Sequence, residues 1–267
     1  MVVSAGFIDF QVTWRADVFS GVPQQSEAAL FGTMGINFYA YKPRAKGKSR
    51  TVAQKVDEPK NPTFNRKEHW DSVYKNKLPT QVSWYEEYPE VSLKLIKSTG
   101  VGPDGNIIDV GGGTSSVADT LLADGYQRIT VLDISPSALE KSRQRLSEHA
   151  HKVKWLEADI TEARLPEEYD LWHDRAVFHF LTDAGDRKRY VQAVKQSLKP
   201  GGHLIIATFA IDGPQKCSGL EVVRYSPEGL HNELGGDFEL LESFGIDHVT
   251  PAKGMQRFTF CRFIRLG

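Results

Sequence analysis

The segment at residues 106–116, NIIDVGGGTSS, constrains the fold of this chain more than any other stretch. A short apolar run containing one acid, Asp109, breaks into three consecutive glycines, and Thr-Ser-Ser then leads into an apolar helical pattern. This order is typical of a buried strand, a tight turn and the capped start of a helix. Glycines let a backbone approach a ligand closely, and a helix N-terminus offers free N–H groups to an anion. The segment therefore predicts a ligand-binding loop in an α/β sheet.

The composition limits the class of protein. Of the 267 residues, 40% are hydrophobic and 25% are charged, as in globular domains, and no apolar run approaches the ~20 residues of a bilayer span. The formal net charge of −1 gives no electrostatic reason to expect binding to nucleic acid or to a membrane. Two cysteines, Cys217 and Cys261, are too few for a disulfide framework, and no Cys/His spacing indicates a metal site. We expect a cytoplasmic protein, with a mitochondrial location as the alternative.

Residues 1–60 differ from the rest of the chain. Their apolar and aromatic residues are scattered between Gly and Pro without a sustained period, and a basic run, KPRAKGKSR, follows at 42–50. The features of a secretory signal are missing, and the acids Asp9, Asp17 and Glu27 disfavour a mitochondrial presequence. We expect a poorly ordered N-terminal extension, followed by one domain over residues 61–267.

Strand and helix patterns alternate through most of that domain, which predicts a parallel sheet with helices on both faces. Five strands are predicted at 106–110, 128–133, 153–157, 169–173 and 203–209. Helices are predicted at 115–124, from 135, at 186–198 and at 227–234. Two closely spaced strands at 238–249 and 256–265 then indicate an antiparallel hairpin at the sheet edge. The fold class is therefore a doubly wound α/β sheet.

Ligands of such sheets bind at the carboxyl ends of the strands, where the strand order reverses. Asp133 lies 20 residues beyond Gly113, the spacing at which a carboxylate meets ribose hydroxyls. Asp159, after the third strand, would accept a hydrogen bond from an adenine amino group, and Ile134 and Ile160 would flank the ring. These positions predict an adenosine-containing ligand, either a dinucleotide or S-adenosylmethionine.

Two features separate these ligands. A dinucleotide loop has glycine or alanine at the position where Ser116 stands here, which is weak evidence by itself. The hairpin is the better discriminator, since a plain dinucleotide-binding domain ends its sheet with parallel strands. Both features favour S-adenosylmethionine.

Residues 67–267 resemble the class I, seven-stranded S-adenosylmethionine-dependent methyltransferases. Four segments carry the resemblance in order: DVGGGTS at 109–115, VLDIS at 131–135, ADI at 158–160 and LKPGGHLII at 198–206. The resemblance implies a Rossmann-like sheet of strand order 3-2-1-4-5-7-6 with strand seven antiparallel. It also implies an enzyme that transfers a methyl group, with S-adenosyl-L-methionine as the cofactor.

Two further segments are similar to lysine methyltransferases of translation elongation factor 1A, whose relatives acting on citrate synthase share the glycine loop. These segments are RKEHWDSVY at 66–74 and ITVLDISPSAL at 129–139. Those enzymes carry D-K-G-T-[FW]-D at the end of strand four, where this chain has HDRAVFHF at 173–180. Cofactor binding therefore carries over, but lysine specificity does not. We expect a small-molecule acceptor, with a protein lysine as the alternative; a nicotinamide-dependent oxidoreductase and a non-catalytic cofactor-binding module are further alternatives.

The strand ends and the resemblance together predict the cofactor site. The predicted cofactor-binding residues are Trp84, Tyr85, Asp109, Gly111, Gly113, Ser115, Asp133, Ile134, Asp159 and Ile160. Trp84 and Tyr85 are included because they stand in a loop, whereas Trp70 and Tyr74 share a helical face and are interpreted as packing. Aromatic faces at Trp84, Tyr85 and Phe178 would stabilise a sulfonium charge.

The end of the fourth strand predicts the acceptor site. His173 and Asp174 are the candidate catalytic bases, His173 because its ordinary pKa lies near neutrality. The alternatives are a hydrogen-bonded structural histidine at 173, and an Asp174 that holds the methionine amino group of the cofactor. The predicted substrate-binding residues are Arg175, Phe178, His179, Arg224 and Tyr225. No metal is needed for this chemistry, and Cys217 is interpreted as a small loop residue.

Overall fold

The computed structural model describes residues 8–16, 35–41 and 64–267. The chain divides into two units, Met1–Asn61 and Pro62–Gly267. In the first unit, strands Ile8–Ala16 and Gly35–Tyr41 pair antiparallel. The basic run at 42–50 and most of the expected N-terminal extension lie outside the described residues. The expectation that this extension is poorly ordered therefore stays a prediction.

The second unit is built on a seven-stranded sheet. Its strands are β1 Asn106–Val110, β2 Arg128–Asp133, β3 Val153–Glu157, β4 Tyr169–Arg175, β5 Leu198–Phe209, β6 Phe238–Val249 and β7 Met255–Arg265. Their order is β3-β2-β1-β4-β5-β7-β6. Strands β1 to β5 are parallel, and β7 is antiparallel to both of its neighbours. The fold class, the strand order and the C-terminal hairpin predicted from the sequence are confirmed.

The helices of this unit are α1 Arg66–Asn76, α2 Glu90–Ser98, α3 Val117–Ala123, α4 Pro136–Leu146, α5 Ala184–Ser197 and α6 Pro227–Leu234. Short 3₁₀ helices occur at Pro79–Gln81, Ser147–Lys152 and Phe178–Phe180. The start of α4 follows from local chemistry, since the Ser135 hydroxyl accepts from the Ala138 N–H at 3.1 Å and Pro136 occupies the first turn. Within the described residues, no helix has the length and apolar character needed to cross a bilayer.

Several predicted boundaries were wrong: β4 extends to Arg175 rather than to residue 173, and α5 begins at Ala184 rather than at residue 186. Strand β5 begins at Leu198 rather than at residue 203, because Leu198 already pairs with Tyr169 of β4 before the register shifts. Helix α3 begins at Val117 rather than at residue 115, because the Ser115 hydroxyl accepts from the Val117 N–H at 3.2 Å and Ser115 stays in the turn.

The central strands are buried on both faces, as expected where helices cover a parallel sheet. Consecutive residues of one strand therefore enter opposite cores: Leu171 packs with Ile107 on one side of the sheet, and Trp172 packs with Ile108 on the other. This explains why the strand sequences are almost continuously apolar rather than alternating.

One buried hydrogen-bond chain joins β4 to α5. The Trp172 indole N–H donates to the Tyr190 hydroxyl at 3.0 Å, and that hydroxyl donates to the Asp174 carboxylate at 2.6 Å. All three residues are fully buried, so water cannot replace a lost partner.

We therefore expect Tyr190→Phe to lower the free energy of unfolding by ~1–3 kcal/mol, because it leaves the Trp172 N–H without a partner and removes one of the two hydrogen bonds to Asp174 Oδ2. Tyr126→Phe is the matched control, since the Tyr126 hydroxyl donates only to the Val101 carbonyl, at 3.0 Å, in a partly buried position. Urea denaturation at pH 7 measures both variants. Equal losses for the two variants would contradict the structural role of this chain.

Candidate cofactor and acceptor site

Two adjoining cavities lie at the carboxyl ends of the parallel strands. The larger encloses about 840 Å³ and the smaller about 500 Å³, part of each being open to solvent. They share four wall residues, Tyr74, Trp84, Gly111 and Arg175. The glycine loop therefore forms the boundary between two halves of one binding region.

Glycine is required in this loop for steric reasons. Gly111 has a φ of +67°, and a Cβ placed on it would overlap the Val177 side chain. Gly113 has a φ of +45°, and a Cβ there would sit 2.7 Å from the Tyr74 hydroxyl and 3.0 Å from Asp133 Oδ2. Side chains at these positions would both strain the backbone and fill the site.

Side chains of helix α4 hold the glycine loop in place by donating hydrogen bonds to the carbonyl groups of the loop. The Ser142 hydroxyl donates to the Gly113 carbonyl at 2.7 Å, and Arg145 donates to the carbonyls of Thr114 and Ser115 at 2.9 and 2.6 Å. These positioning residues were not predicted, although their spacing of three on one helix places them on a common face.

Asp133 lies in the wall of the larger cavity, at the end of β2. Its Oδ1 accepts from the Ser135 N–H at 2.8 Å, and none of the described basic side chains forms an ion pair with it. Burial, together with the nearby charge of Asp109, raises the pKa of Asp133 to about 7. The predicted flanking residues Ile134 and Ile160 line the same cavity. The site thus contains a buried carboxyl group that accepts from backbone N–H groups but has no cationic partner among the described residues, beside an apolar wall.

Asp159 also lines the larger cavity, but both of its oxygens have partners. One accepts from Arg66 at 3.1 Å, and the other accepts from the Thr161 N–H and hydroxyl at 2.9 and 2.7 Å. Arg66 is in turn paired with Asp186. Asp159 therefore fastens α1 to the end of β3, and its contact with an adenine amino group stays a prediction.

The smaller cavity contains a buried chain of three polar side chains. The Asp109 carboxylate lies 2.7 Å from His173 Nδ1, and His173 Nε2 lies 2.9 Å from the Ser92 hydroxyl. Strand pairing places Asp109 and His173 side by side on β1 and β4. Both imidazole nitrogens have side-chain partners within the protein, so His173 has no free nitrogen to offer to an acceptor molecule. This favours the structural alternative for His173 over its role as the base: it positions Asp109.

Asp174 requires a similar correction. It is fully buried and lines neither cavity, because its oxygens accept from the N–H groups of Val177 and Phe178 at 2.8 and 3.1 Å and from Tyr190. Burial raises the pKa of Asp174 to about 6 against the effect of these bonds. Its place in the fold is to cap the turn that follows β4, not to contact the cofactor's amino group or the acceptor.

The structure separates the predicted substrate-binding residues into two groups. Arg175 and His179 line the larger cavity. Phe178 lies instead in the core against Tyr190 and Tyr225, with ring centroids 4.9 and 5.4 Å apart, because the 3₁₀ turn directs it inward. Arg224 donates to the Gly213 carbonyl at 3.2 Å, and neither Arg224 nor Tyr225 lines the described cavities. We therefore remove Phe178, Arg224 and Tyr225 from the acceptor site.

The remaining cofactor predictions fall where the strand ends converge. Trp84, Gly111, Tyr85 and Ser115 line one or both cavities. The Trp84 loop is fixed by His248, whose Nε2 lies 2.7 Å from the Ser83 carbonyl, and by Arg175, which donates to the Trp84 carbonyl at 2.9 Å and pairs with Glu86 at 3.1 Å.

The larger cavity is also lined by six residues that were not predicted to belong to the site. They are Trp70, Phe180, Phe209, Cys217, Gln256 and Phe258. Trp70 lies 4.8 Å from Phe180 and 5.8 Å from Trp84 between ring centroids, so these rings form a packed aromatic wall. Phe209 pairs with Phe258 across β5 and β7. Their proximity follows from the predicted hairpin, since antiparallel β7 starts where β5 ends.

Residues 108–204 match a family model described as a methyltransferase domain. The matched segment runs from β1 into β5 of the sheet. Nodulation protein S of Rhizobium tropici is 31% identical over 114 residues, covering 43% of this chain and 47% of that protein. Human EEF1A lysine methyltransferase 2 is 26% identical over 193 residues, covering 66% of this chain and 75% of that protein. The chain spans about half the length of the first curated relatives that it matches.

Solved structures show the same methyltransferase fold. The N-methyltransferase NodS from Bradyrhizobium japonicum, in complex with S-adenosyl-L-homocysteine, aligns with a TM-score of 0.57 at 20% identity. The alignment covers 73% of this chain and 97% of NodS. At this identity, the likeness establishes the fold alone.

We expect Gly111→Ala to destabilise the methyltransferase domain more than Gly125→Ala does. Both glycines have positive φ, which costs an alanine ~1–2 kcal/mol, but only Gly111 has a neighbour in the path of the new methyl group, adding ~1–3 kcal/mol. Urea denaturation measures the difference. The additional Val177→Ala substitution should recover most of the second contribution, and a double variant no more stable than Gly111→Ala would refute the steric explanation.

Proposed function

We propose that this chain transfers a methyl group from S-adenosyl-L-methionine to a small-molecule acceptor. The observation that carries this proposal is the position of Gly111 between two cavities, one walled by Asp133, Ile134 and Ile160 and the other by Asp109. A ligand with a nucleoside half and an amino-acid half requires such a pair of sites on either side of a close backbone approach.

The residues present fit that cofactor. The buried Asp133 carboxyl accepts from backbone N–H groups and has no cationic partner among the described residues, and two vicinal ribose hydroxyls would supply further donors. Ile134 and Ile160 would flank the adenine ring. Asp109 and the exposed Ser115 lie in the smaller cavity, where the methionine portion would bind.

Bound S-adenosyl-L-methionine would supply an electrophilic methyl group, whose bond to sulfur breaks with its electrons left on sulfur as the acceptor's lone pair bonds to the carbon. Trp84 and Tyr74, which line both cavities with ring centroids 6.1 Å apart, would face the positive sulfonium. The aromatic walls would orient the acceptor and exclude water. With His173 and Asp174 fully hydrogen-bonded, the acceptor's proton would leave to solvent.

The electrostatics of the acceptor end favour a small molecule over a protein lysine. Arg175 is the charged side chain at this end of the larger cavity, and its partner Glu86 lies in the wall of the smaller one, so the described residues offer a lysine ammonium no carboxylate there. The segment HDRAVFHF, in place of the lysine-enzyme motif, points in the same direction. The similarity to EEF1A lysine methyltransferase 2 keeps a protein lysine as the second candidate.

We also propose a reducing, cytoplasmic setting and no nucleic-acid or membrane partner. Cys217 and Cys261 are both free and buried, and burial raises the pKa of each thiol, so both are held neutral. The formal net charge of −1 supports the absence of a polyanionic partner.

Two measurements test this function. Calorimetry should show binding of S-adenosyl-L-homocysteine and no binding of NAD; the reverse result would establish the oxidoreductase alternative. Transfer of a tritiated methyl group into a cell lysate should label the small-molecule fraction. Label confined to protein would establish the lysine alternative, and no label in either fraction would leave a cofactor-binding module.

The cofactor affinity should depend on pH through Asp133. Ribose donors stabilise the carboxylate, so binding lowers the pKa of Asp133 from about 7 and releases a proton from the neutral form. Affinity for S-adenosyl-L-homocysteine should therefore fall about tenfold between pH 8 and pH 6.

Asp133→Asn is the matched variant, because it keeps the shape and removes the titrating group. It should weaken binding at pH 8 by ~1–3 kcal/mol and make the affinity nearly independent of pH over this range. The titratable neighbours, Asp109 and Tyr74, remain in the variant and serve as the internal control. A pH response of the same size in Asp133→Asn would show that another group is responsible.

A further inference from the structure

His179 presents a hydrogen-bond donor without a partner in the wall of the larger cavity. Its Nδ1 accepts from the Phe209 N–H at 3.1 Å, and its Nε2 is buried without a partner among the described residues. Burial, with the nearby positive charge of Arg175, lowers the pKa of His179 to about 3. A neutral imidazole whose Nδ1 accepts must carry its hydrogen on Nε2. His179 is therefore a fixed N–H donor across the physiological pH range and not a base.

Arg175 also lines this cavity and carries a second N–H without a partner among the described residues. Its terminal nitrogens are bound by Trp84 and Glu86, which fix the guanidinium 4.9 Å above the Phe258 ring. Its Nε is buried and has no partner among the described residues. Burying an unpaired N–H costs ~1–3 kcal/mol, so two such donors in one cavity indicate a ligand atom that accepts from them.

The rest of this end of the cavity is apolar or neutral. Phe180, Phe209 and Phe258 form its walls, and Cys217 is held as a neutral thiol by burial. The chemistry that satisfies two N–H donors, one of them cationic, inside an aromatic wall is an oxygen anion on an apolar or aromatic body.

We propose that the acceptor molecule carries a carboxylate that binds to the Nε2–H of His179 and the Nε–H of Arg175. This rests on the proposed function for the location of the acceptor, but the binding site itself is defined by the two donors and the aromatic walls. The carboxylate is the part of the molecule that orients it.

Benzoate is the probe, because it combines a carboxylate with an aromatic ring. Its binding is followed by NMR titration of the full-length protein, both alone and saturated with S-adenosyl-L-homocysteine. Benzoate should bind at least tenfold more tightly than benzylammonium, which has a similar size and the opposite charge. Equal or tighter binding of benzylammonium overturns the proposal.

The donor is tested with His179→Phe, which keeps an aromatic ring and removes both nitrogens. It should weaken benzoate binding at least tenfold while S-adenosyl-L-homocysteine still binds. His203→Phe is the matched control, since His203 is a partly buried histidine of β5 outside both described cavities, and it should leave benzoate binding unchanged. Unchanged benzoate affinity in His179→Phe overturns the proposal.

A direct measurement on the wild-type protein covers the case in which His179→Phe does not fold. Two-bond ¹H–¹⁵N correlations should show Nε2 of His179 protonated and Nδ1 unprotonated, and benzoate should shift the Nε2 resonance. A proton on Nδ1, or an Nε2 resonance that benzoate does not move, refutes the donor role. Failure of S-adenosyl-L-homocysteine to bind would refute the proposed function instead, while the imidazole and benzoate measurements would still decide this proposal.

Discussion

The convergence of parallel strand ends forces acidic side chains into a small region, and each of these acids has different hydrogen-bond or ion-pair partners. Asp109 is bound by His173, and Asp159 is paired with Arg66. Asp133 receives backbone N–H bonds but no cation, and its pKa is raised to about 7 from an ordinary value near 4. Between about pH 4 and pH 7, the folded protein therefore holds a proton on Asp133 that the unfolded chain would release. The buried charge lowers the free energy of unfolding by its full amount above pH 7, and this effect disappears below about pH 4. A ligand that donates to this carboxylate recovers that cost.

Helices α1 and α4 hold the residues around this carboxylate and the glycine loop in place. Helix α1 is fastened at one end by Arg66 and further along by Asp71, whose Oδ1 accepts from the Ser135 hydroxyl and the Ser137 N–H at 3.1 and 3.0 Å. Burial favours the neutral form of Asp71, but bonds from Lys75, Ser137 and Ser135 outweigh it and hold its pKa well below the usual range. These contacts place Tyr74 beside the loop, while α4 binds the loop carbonyls from the other side.

The sequence was sufficient for the fold, and for the edge of the sheet at which the candidate site lies, because both depend on local patterns. Apolar runs define strands, and the residues just after them must lie at one edge of a parallel sheet. Which polar groups remain free depends on contacts between residues distant in the chain. The segment 173–180 contains two histidines that local pattern cannot rank. His173 is occupied because Ser92, 81 residues earlier, reaches it, whereas His179 is bound on one nitrogen alone.

His179 and Arg175 also constrain the chemistry of the proposed acceptor. An atom that accepts hydrogen bonds from His179 and Arg175 is stabilised as a lone-pair donor and becomes a poorer nucleophile. Under the proposed function, the atom that receives the methyl group is therefore a different atom of the same molecule, held away from these donors and toward the Trp84 and Tyr74 wall that both cavities share. The described wall residues offer no free base beside these donors, so in the proposed reaction the nucleophilicity comes from the acceptor itself, as in a neutral amine or an acidic thiol. Under that condition, the protein contributes to the rate chiefly by fixing distance and angle.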